Sequence, residues 1–294
     1  MYKSLLLASL ACLASTVASQ RYEHFDCGTG ADAATKDFIK TIGTLNTNHA
    51  AGSPGARKRA AMLAARRSEI TVPTVIHIVA TEEKKGQITE DMAQAQLDAL
   101  NSAYNPQDIK FALVNTTWTV NDAWAVGAGE DDVAMKKALR QGTYETLNLY
   151  FQTDLEGNIL GKCTLPSSIG GGIVDPSVYV ADGCNIQANT MPGGSVTGYD
   201  MGRTAVHETG HWMGLLHTFE GYACDGEGDF ITDTPAQSES TDGCPEVKNS
   251  CPDMEGTDAI HNFMDYSTDA CYEGFSKGQQ ERMMTMWTMY RAGR

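Results

Sequence analysis

Beyond its first nineteen residues the chain has no apolar stretch long enough to cross a bilayer, no internal repeat and no nucleic-acid-binding motif. Positive charge is scarce as well: 22 Lys and Arg stand against 37 Asp and Glu, a formal net charge of −15. So acidic a chain is repelled by phosphate backbones, which argues against nucleic-acid partners, and the missing span argues against a membrane-embedded product. The one apolar block, from Leu5 to Val17, follows Met1-Tyr2-Lys3 and ends at the small residues Ala18 and Ser19. It is too short to span and reads as a secretory signal peptide over residues 1–19, so a secreted, extracellular product is expected. The sequon Asn115-Thr116-Thr117 fits that route as a glycosylation site.

The densest chemistry lies in Thr204-Ala205-Val206-His207-Glu208-Thr209-Gly210-His211-Trp212-Met213-Gly214-Leu215-Leu216-His217. On a helix, residues four apart share a face, so His207 and His211 present imidazole nitrogens to one metal with Glu208 beside it. Gly214 ends that helix, because glycine tolerates the positive φ of a sharp exit, and the turn returns His217 as a third ligand. Three protein ligands leave a coordination position open, the arrangement of catalytic rather than structural Zn²⁺. His-Glu-x-x-His alone recurs by accident on ordinary helices, but nothing in a hydrophobic core requires a further His at this offset. A zinc site with Glu208 as general base is therefore expected.

Charge divides the chain. Residues 20–67 carry eight basic and four acidic groups, whereas from Ser68 onward there are 33 acidic and 13 basic, a net of −20. This predicts a propeptide over 20–67 and a catalytic domain over 68–294, with cleavage near Arg66-Arg67 after an exposed linker at 51–55. A basic prosegment can dock on an acidic domain; the bland alternative is a disordered tail.

Within the domain, β-branched and apolar runs predict strands at 74–79, 111–114, 146–151, 159–165 and 184–188, the last two around the Gly170-Gly171-Gly172 loop. Helices are expected at 89–104, with a capping pattern at Thr89, and at 135–140, then the His-bearing helix and a closing helix over 276–290. Strands alternating with helices indicate an α/β layered fold on a five-stranded sheet, followed by a loop-rich half from 217 to 273. His77, inside the first strand, reads as a sheet histidine rather than a ligand.

Of eight cysteines, Cys12 leaves with the signal peptide, so seven remain in an oxidising compartment. Cys224, Cys244, Cys251 and Cys271 fall in the loop-rich half, where disulfides help most, and Cys163 and Cys184 lie on two strands that can be neighbours. Among these six, fifteen pairings are open. Cys27 stands apart in the prosegment. A lone thiol ahead of a zinc site can occupy the open metal position and silence a zymogen; an intermolecular disulfide or an inert thiol are the alternatives. Between Glu220 and Asp258, eleven acidic residues accompany one basic residue, Lys248. Asp225, Asp229, Thr232, Asp233 and Thr234 crowd together there with glycines, so hard oxygen ligands for Ca²⁺ compete with a plain solvated acidic loop.

The extended zinc signature, together with Asn262-Phe263-Met264-Asp265-Tyr266, resembles the metzincins, and within them the pappalysin family with its fungal-type secreted metalloproteases. The resemblance runs from about Pro73 to Arg291. It implies that Met264 forms the turn beneath the zinc and that Tyr266 stabilises the reaction's oxyanion. It also implies disulfides Cys224–Cys251 and Cys244–Cys271, calcium at Asp229, Thr232 and Thr234, and Asp269 at the base of the S1′ pocket, favouring Arg or Lys after the scissile bond. The Cys163–Cys184 bond rests on the strand argument alone. The expected fold is thus a metzincin-type zinc protease with a twisted mixed sheet above and a disulfide-stapled, loop-rich half below. The expected activity is hydrolysis of protein or peptide bonds by a monomer made as a zymogen. A catalytically silent protein-binding module and a zinc hydrolase of non-peptide amides are the alternatives.

Overall fold

The computed structural model describes residues 24–50, 69–167 and 176–294. The signal peptide, Arg66-Arg67 and the triple-glycine loop lie outside them. The organising strand is β1 (Ile70–Ala80), whose run of apolar residues is buried on both faces, the pattern of a parallel strand covered by helices above and below. It pairs in parallel with β2 (Ile109–Val120) on one side and β3 (Leu147–Gln152) on the other. β5 (Cys184–Gln187) joins β3 in parallel, and β4 (Gly161–Cys163) closes the sheet antiparallel to β5, so the order is β2-β1-β3-β5-β4. The mixed five-stranded sheet is as expected, but β1 and β2 are longer than their apolar runs, and β4 is shorter than residues 159–165. Hydrogen-bond partners, rather than side-chain character, end a strand, and β4 has β5 to pair with for three residues only.

Helix α1 (Lys36–Ala50) precedes the sheet. Then follow α2 (Glu90–Tyr104), α3 (Asp122–Val126), α4 (Gly129–Leu139), α5 (Pro176–Ala181), α6 (Arg203–Trp212) and α7 (Lys277–Met286), whose end widens into a π-type turn at Trp287–Arg291. Thr89 caps α2 as expected by accepting from Met92 N, and Ser276 and Gln279 form a capping box on α7. The helix expected at 135–140 begins earlier, at Gly129, since Glu130, Asp131 and Asp132 suit a first helical turn.

Alternation along the strands sorts the core into two layers. Ile76, Ile78, Leu149, Phe151 and Ile186 meet α2 and α6, whereas Val79 and Tyr150 meet Ala125 and Met135 of α3 and α4. Tyr104 Oη donates to Val206 O at 2.8 Å, locking α2 to α6. His77 faces the second layer, where its nitrogens lie 2.8 Å from Thr117 Oγ1 and 3.0 Å from Asn148 Oδ1, so it is a satisfied sheet histidine. Asp182, fully buried, pairs with Arg291 at 3.1 Å and Arg140 at 3.3 Å, and the Arg291 guanidinium lies 3.5 Å from the centre of the Trp212 ring. This joins the end of α6 to the end of the chain.

From His217 to the last turn before α7, regular structure is nearly absent among the described residues. Disulfides Cys224–Cys251 and Cys244–Cys271 each close a separation of 27 residues there. Restricting the unfolded chain over loops of that length contributes about 3–4 kcal/mol per bond in the chain-entropy picture. Cys163–Cys184 links β4 to β5 at directly paired positions.

Residues 24–46, part of the expected propeptide, pack on the rest of the chain. Phe38, Ile42 and Leu45, on one face of α1, pack on Leu165, Leu216, Met286 and Tyr290.

Candidate metal centre and active site

Helix α6 is buried from Thr204 to Trp212. Its N-terminus lacks a capping side chain of its own, because Gly202 precedes it; Asp269, from a distant loop, accepts instead from Met201 N at 2.7 Å and Arg203 N at 3.3 Å. Four residues apart, His207 and His211 project from one face. Gly214, at φ +93°, then reverses the chain where any Cβ would lie 2.4 Å from Met286 Cγ, and His217 returns to the same point.

The three imidazoles converge through Nε2, with His211 3.1 Å from His207 and 3.2 Å from His217. His207 Nδ1 donates to Phe263 O at 2.7 Å and His211 Nδ1 to Leu215 O at 2.9 Å. A carbonyl only accepts, so Nδ1 carries the proton and Nε2 keeps its lone pair. Burial and the neighbouring rings hold both histidines well below their ordinary pKa, so they are neutral. Nitrogens facing one another at about hydrogen-bond distance, two of them bare lone pairs, leave one another unsatisfied; one cation between them satisfies all three. Cys27 Sγ completes the group, 3.6 Å from His211 Nε2, and these four atoms lie within 4.8 Å of one another. The donor set, three imidazoles and a thiol, is that of zinc. A second grouping, Cys244, His261 and Cys271, offers no such site, because its two sulfurs are bonded to each other.

Glu208 stands beside this centre, fully buried, with neither carboxylate oxygen in a hydrogen bond of good geometry. Burial pushes its pKa up to about 8, the facing Cys27 and Thr29 pulling it back in part. Burial and Glu208 push the Cys27 thiol up as well; a bound cation reverses that sign. Tyr266 Oη lies 3.3 Å from His217 Nε2, and Met264 is wholly buried with its carbonyl accepting from Thr218 N at 3.2 Å. The loop from 262 to 266 thus supports the ring of His207 and brings a phenol to the centre.

Four features were not anticipated. Phe25 inserts between Tyr199, His207 and Tyr266, with ring centres 5.7, 4.9 and 4.8 Å away. Cys27 bridges Gly161 in parallel, Gly28 N donates to Gly161 O at 2.8 Å, and Leu160 N to Asp26 O at 2.9 Å, so the segment around Cys27 extends the sheet at its β4 edge. Gly161 lies so close to Glu208 that a Cβ there would be 2.6 Å from both Cγ and Oε1. Glu220 Oε2 lies 3.4 Å from His217 Nδ1. The basic-to-acidic switch hinted at the docking, but the contacts of Phe25 and of the Asp26–Gly28 backbone join residues over a hundred positions apart.

The remaining expected residues lie elsewhere. Asp229 is buried; Oδ1 accepts from Ile231 N and Thr234 Oγ1 at 3.0 and 2.8 Å, while Oδ2 has no partner and burial raises its pKa to about 7. A cavity of about 150 Å³ lies against Asp229 and Thr234, and Thr232 points to solvent. Asp269 keeps one buried oxygen, Oδ1, unpaired, and burial raises it to about 7. Asn115 is exposed on β2, the sheet's other edge.

Comparison with known proteins agrees with this geometry. The family model described as pregnancy-associated plasma protein-A matches residues 143–288. An extracellular metalloprotease of Neurospora crassa is 44% identical over 297 residues, covering 99% of this chain and 98% of the relative. Another, from Pyricularia oryzae, is 48% identical over 234 residues, covering 79% and 80%. Among solved structures, mature mirolysin of Tannerella forsythia in complex with a cleaved peptide is 28% identical, with a TM-score of 0.64, covering 75% of this chain and 92% of that one. A promirolysin variant from the same organism shares the fold, with a TM-score of 0.68 at 24% identity over 90% and 94% of the two chains. Fold and site together define a secreted zinc metalloprotease of the metzincin type. The chain belongs to the pappalysin family of extracellular metalloproteases.

Proposed function

We propose that this chain is an endopeptidase made as a zymogen, in which His207, His211 and His217 hold the catalytic zinc and Glu208 is the general base. The convergence of three imidazole Nε2 atoms beside a buried carboxylate without a well-formed hydrogen bond carries this reading. Zinc, when bound, supplies Lewis-acid polarisation of the scissile carbonyl and lowers the pKa of water. The protein's own groups do the rest. The β4 edge, whose Leu160 N and Gly161 O are taken by the prosegment, aligns a substrate strand in its place. Glu208 removes a proton from the attacking water and returns it to the leaving amine, so that the peptide bond breaks into a carboxylate and an amine. Tyr266 Oη donates to the carbonyl oxygen as it gains charge, and Met264 and Phe263 support His207 from below.

Latency follows from the same contacts. Cys27 Sγ occupies the open position, Phe25 fills the cleft and α1 anchors the segment. Removal after Arg66-Arg67 clears the cleft. The unpaired Oδ1 of Asp269 suits a guanidinium or ammonium after the scissile bond, the helix-capping Oδ2 being already committed. Asp229 and Thr234 with their adjacent cavity suit a structural Ca²⁺, with the neighbouring Thr232 as the third expected ligand. Asn115 is accessible for a glycan, and the matured chain acts as a monomer. Cleavage of a randomised peptide library by the matured protein tests the specificity: enrichment of Arg and Lys after the bond, lost in Asp269→Asn, is expected, and unchanged preference in that variant contradicts it.

A further inference from the structure

We propose that Glu220 is a positioning residue that links the prosegment to the metal centre, orienting His217 through one carboxylate oxygen while the other holds the prosegment backbone. This rests on the reading of His217 as a zinc ligand and of residues 24–50 as an inhibitory segment. The argument begins from an asymmetry among the three histidines. His207 and His211 are oriented by backbone carbonyls, Phe263 O and Leu215 O, which no side-chain change removes. His217 has no such carbonyl; the group facing its Nδ1 is Glu220 Oε2 at 3.4 Å, and Oε2 has no other partner. Both side chains are nearly buried, at 6% and 14% exposed, so the carboxylate acts on the ring with little competition from water. A turn, Glu220 N donating to His217 O at 3.1 Å, fixes the spacing, and Phe219 stacks on the His217 ring with centres 5.0 Å apart.

The second oxygen is engaged elsewhere. Glu220 Oε1 accepts from Ala31 N at 3.0 Å, four residues beyond Cys27. Ala31 opens a 3-10 turn whose preceding residue, Gly30, provides no capping side chain, so its N–H would otherwise lack an acceptor. One carboxylate therefore touches a zinc-ligating ring and the segment that blocks the zinc. A carboxylate on the far nitrogen of an imidazole fixes the ring and raises its basicity toward a metal. While Ala31 N–H shares that charge, Glu220 serves both partners; once the prosegment leaves, it serves His217 alone.

The test uses the secreted full chain, with Zn²⁺ itself as the probe in a chelator competition. Glu220→Ala should weaken zinc binding by about 10–100-fold, whereas Glu220→Gln, which keeps an acceptor oxygen, should stay within about threefold of wild type. Ala31→Pro removes only the N–H, at a first-turn position that tolerates proline. It should leave zinc affinity unchanged and raise the precursor's residual cleavage of a quenched peptide roughly tenfold, the effect of one lost charge-assisted hydrogen bond on the closed state. Zinc affinity in Glu220→Ala equal to wild type would overturn the proposal alone. So would equal weakening in both Glu220 variants with a matching drop in thermal midpoint, which is the mark of a structural role. Unchanged precursor activity in Ala31→Pro would overturn the link to the prosegment. A wild-type chain that binds no zinc, like His207→Ala, would overturn the metal reading beneath it.

Discussion

Replacing Gly161 by alanine places one methyl group where the edge strand crosses the catalytic helix. Its Cβ would lie 2.6 Å from Glu208 Cγ and Oε1 and 2.8 Å from Cδ. Carbon contacts rest near 3.5 Å, so something must give by about 1 Å. β4 is held by its hydrogen bonds to β5 and by the Cys163–Cys184 bond, and the backbone of α6 is buried between sheet and loops. The Glu208 side chain, whose oxygens make no hydrogen bond of good geometry, is the part free to move. A displacement of about 1 Å at a catalytic group costs about a hundredfold in rate, or about 2.7 kcal/mol of barrier. Overpacking adds about 1–3 kcal/mol of lost stability. The assay is steady-state cleavage of a quenched peptide by matured protein, with zinc content measured alongside. The expected result is kcat down about a hundredfold, zinc retained, and KM little changed. Wild-type kcat in a folded, zinc-loaded Gly161→Ala protein would refute the reasoning, because it would mean that Glu208 need not stand where it stands.

Other perturbations read out separate parts of the account. Cys27→Ser should raise the cleavage activity of the uncut precursor, seen as peptide hydrolysis before any N-terminal processing; a precursor as silent as wild type would remove the thiol from the latency mechanism. Burial lowers the pKa of His77 to about 4, below its ordinary 6.5, so the unfolded chain binds the extra proton first. Its contribution is therefore present above pH 6.5 and lost as pH falls toward 4, by up to about 3 kcal/mol. Urea midpoints of wild type and His77→Gln across that range should converge at the acid end. Asp182→Ala strands the buried Arg291 and should cost about 3–5 kcal/mol, seen as a lowered thermal midpoint. If Ca²⁺ occupies the Asp229 cavity, millimolar calcium should raise the thermal midpoint of wild type but not of Asp229→Asn.

Much of the fold was legible because its signals are local. The alternation of apolar runs and helical stripes placed all five strands, and the spacing of His207, His211, Gly214 and His217 depends only on helix geometry and one glycine turn. The lone position of Cys27 in the basic N-terminal stretch singled out its thiol, which lies 3.6 Å from His211 Nε2. Other features depend on partners far away in the chain. Phe38, Ile42 and Leu45 are helically spaced, yet only the surface formed by Leu216 and Met286 makes them a buried face. Asp269 looks like one more loop acid until α6 is seen to begin beside it without a cap. Tyr266 and Met264 were placed only through family resemblance, since a loop aromatic and a buried methionine have no distinctive spacing. Gly161 carried no signal because Glu208 comes near it only on folding, and Glu220, three residues past His217, because nothing local marks its second contact, to Ala31 N.

The central claim is that Glu208, beside three zinc-holding histidines, is the base of a peptide-cleaving site. The most direct measurement is turnover of a quenched peptide by matured wild type and Glu208→Gln, each with its zinc counted and each repeated after chelation. The account predicts one zinc in both proteins, chelator-sensitive cleavage by wild type, and a loss of nearly all turnover in the variant. Near-full activity in zinc-loaded Glu208→Gln, or cleavage that survives removal of the metal, would contradict it.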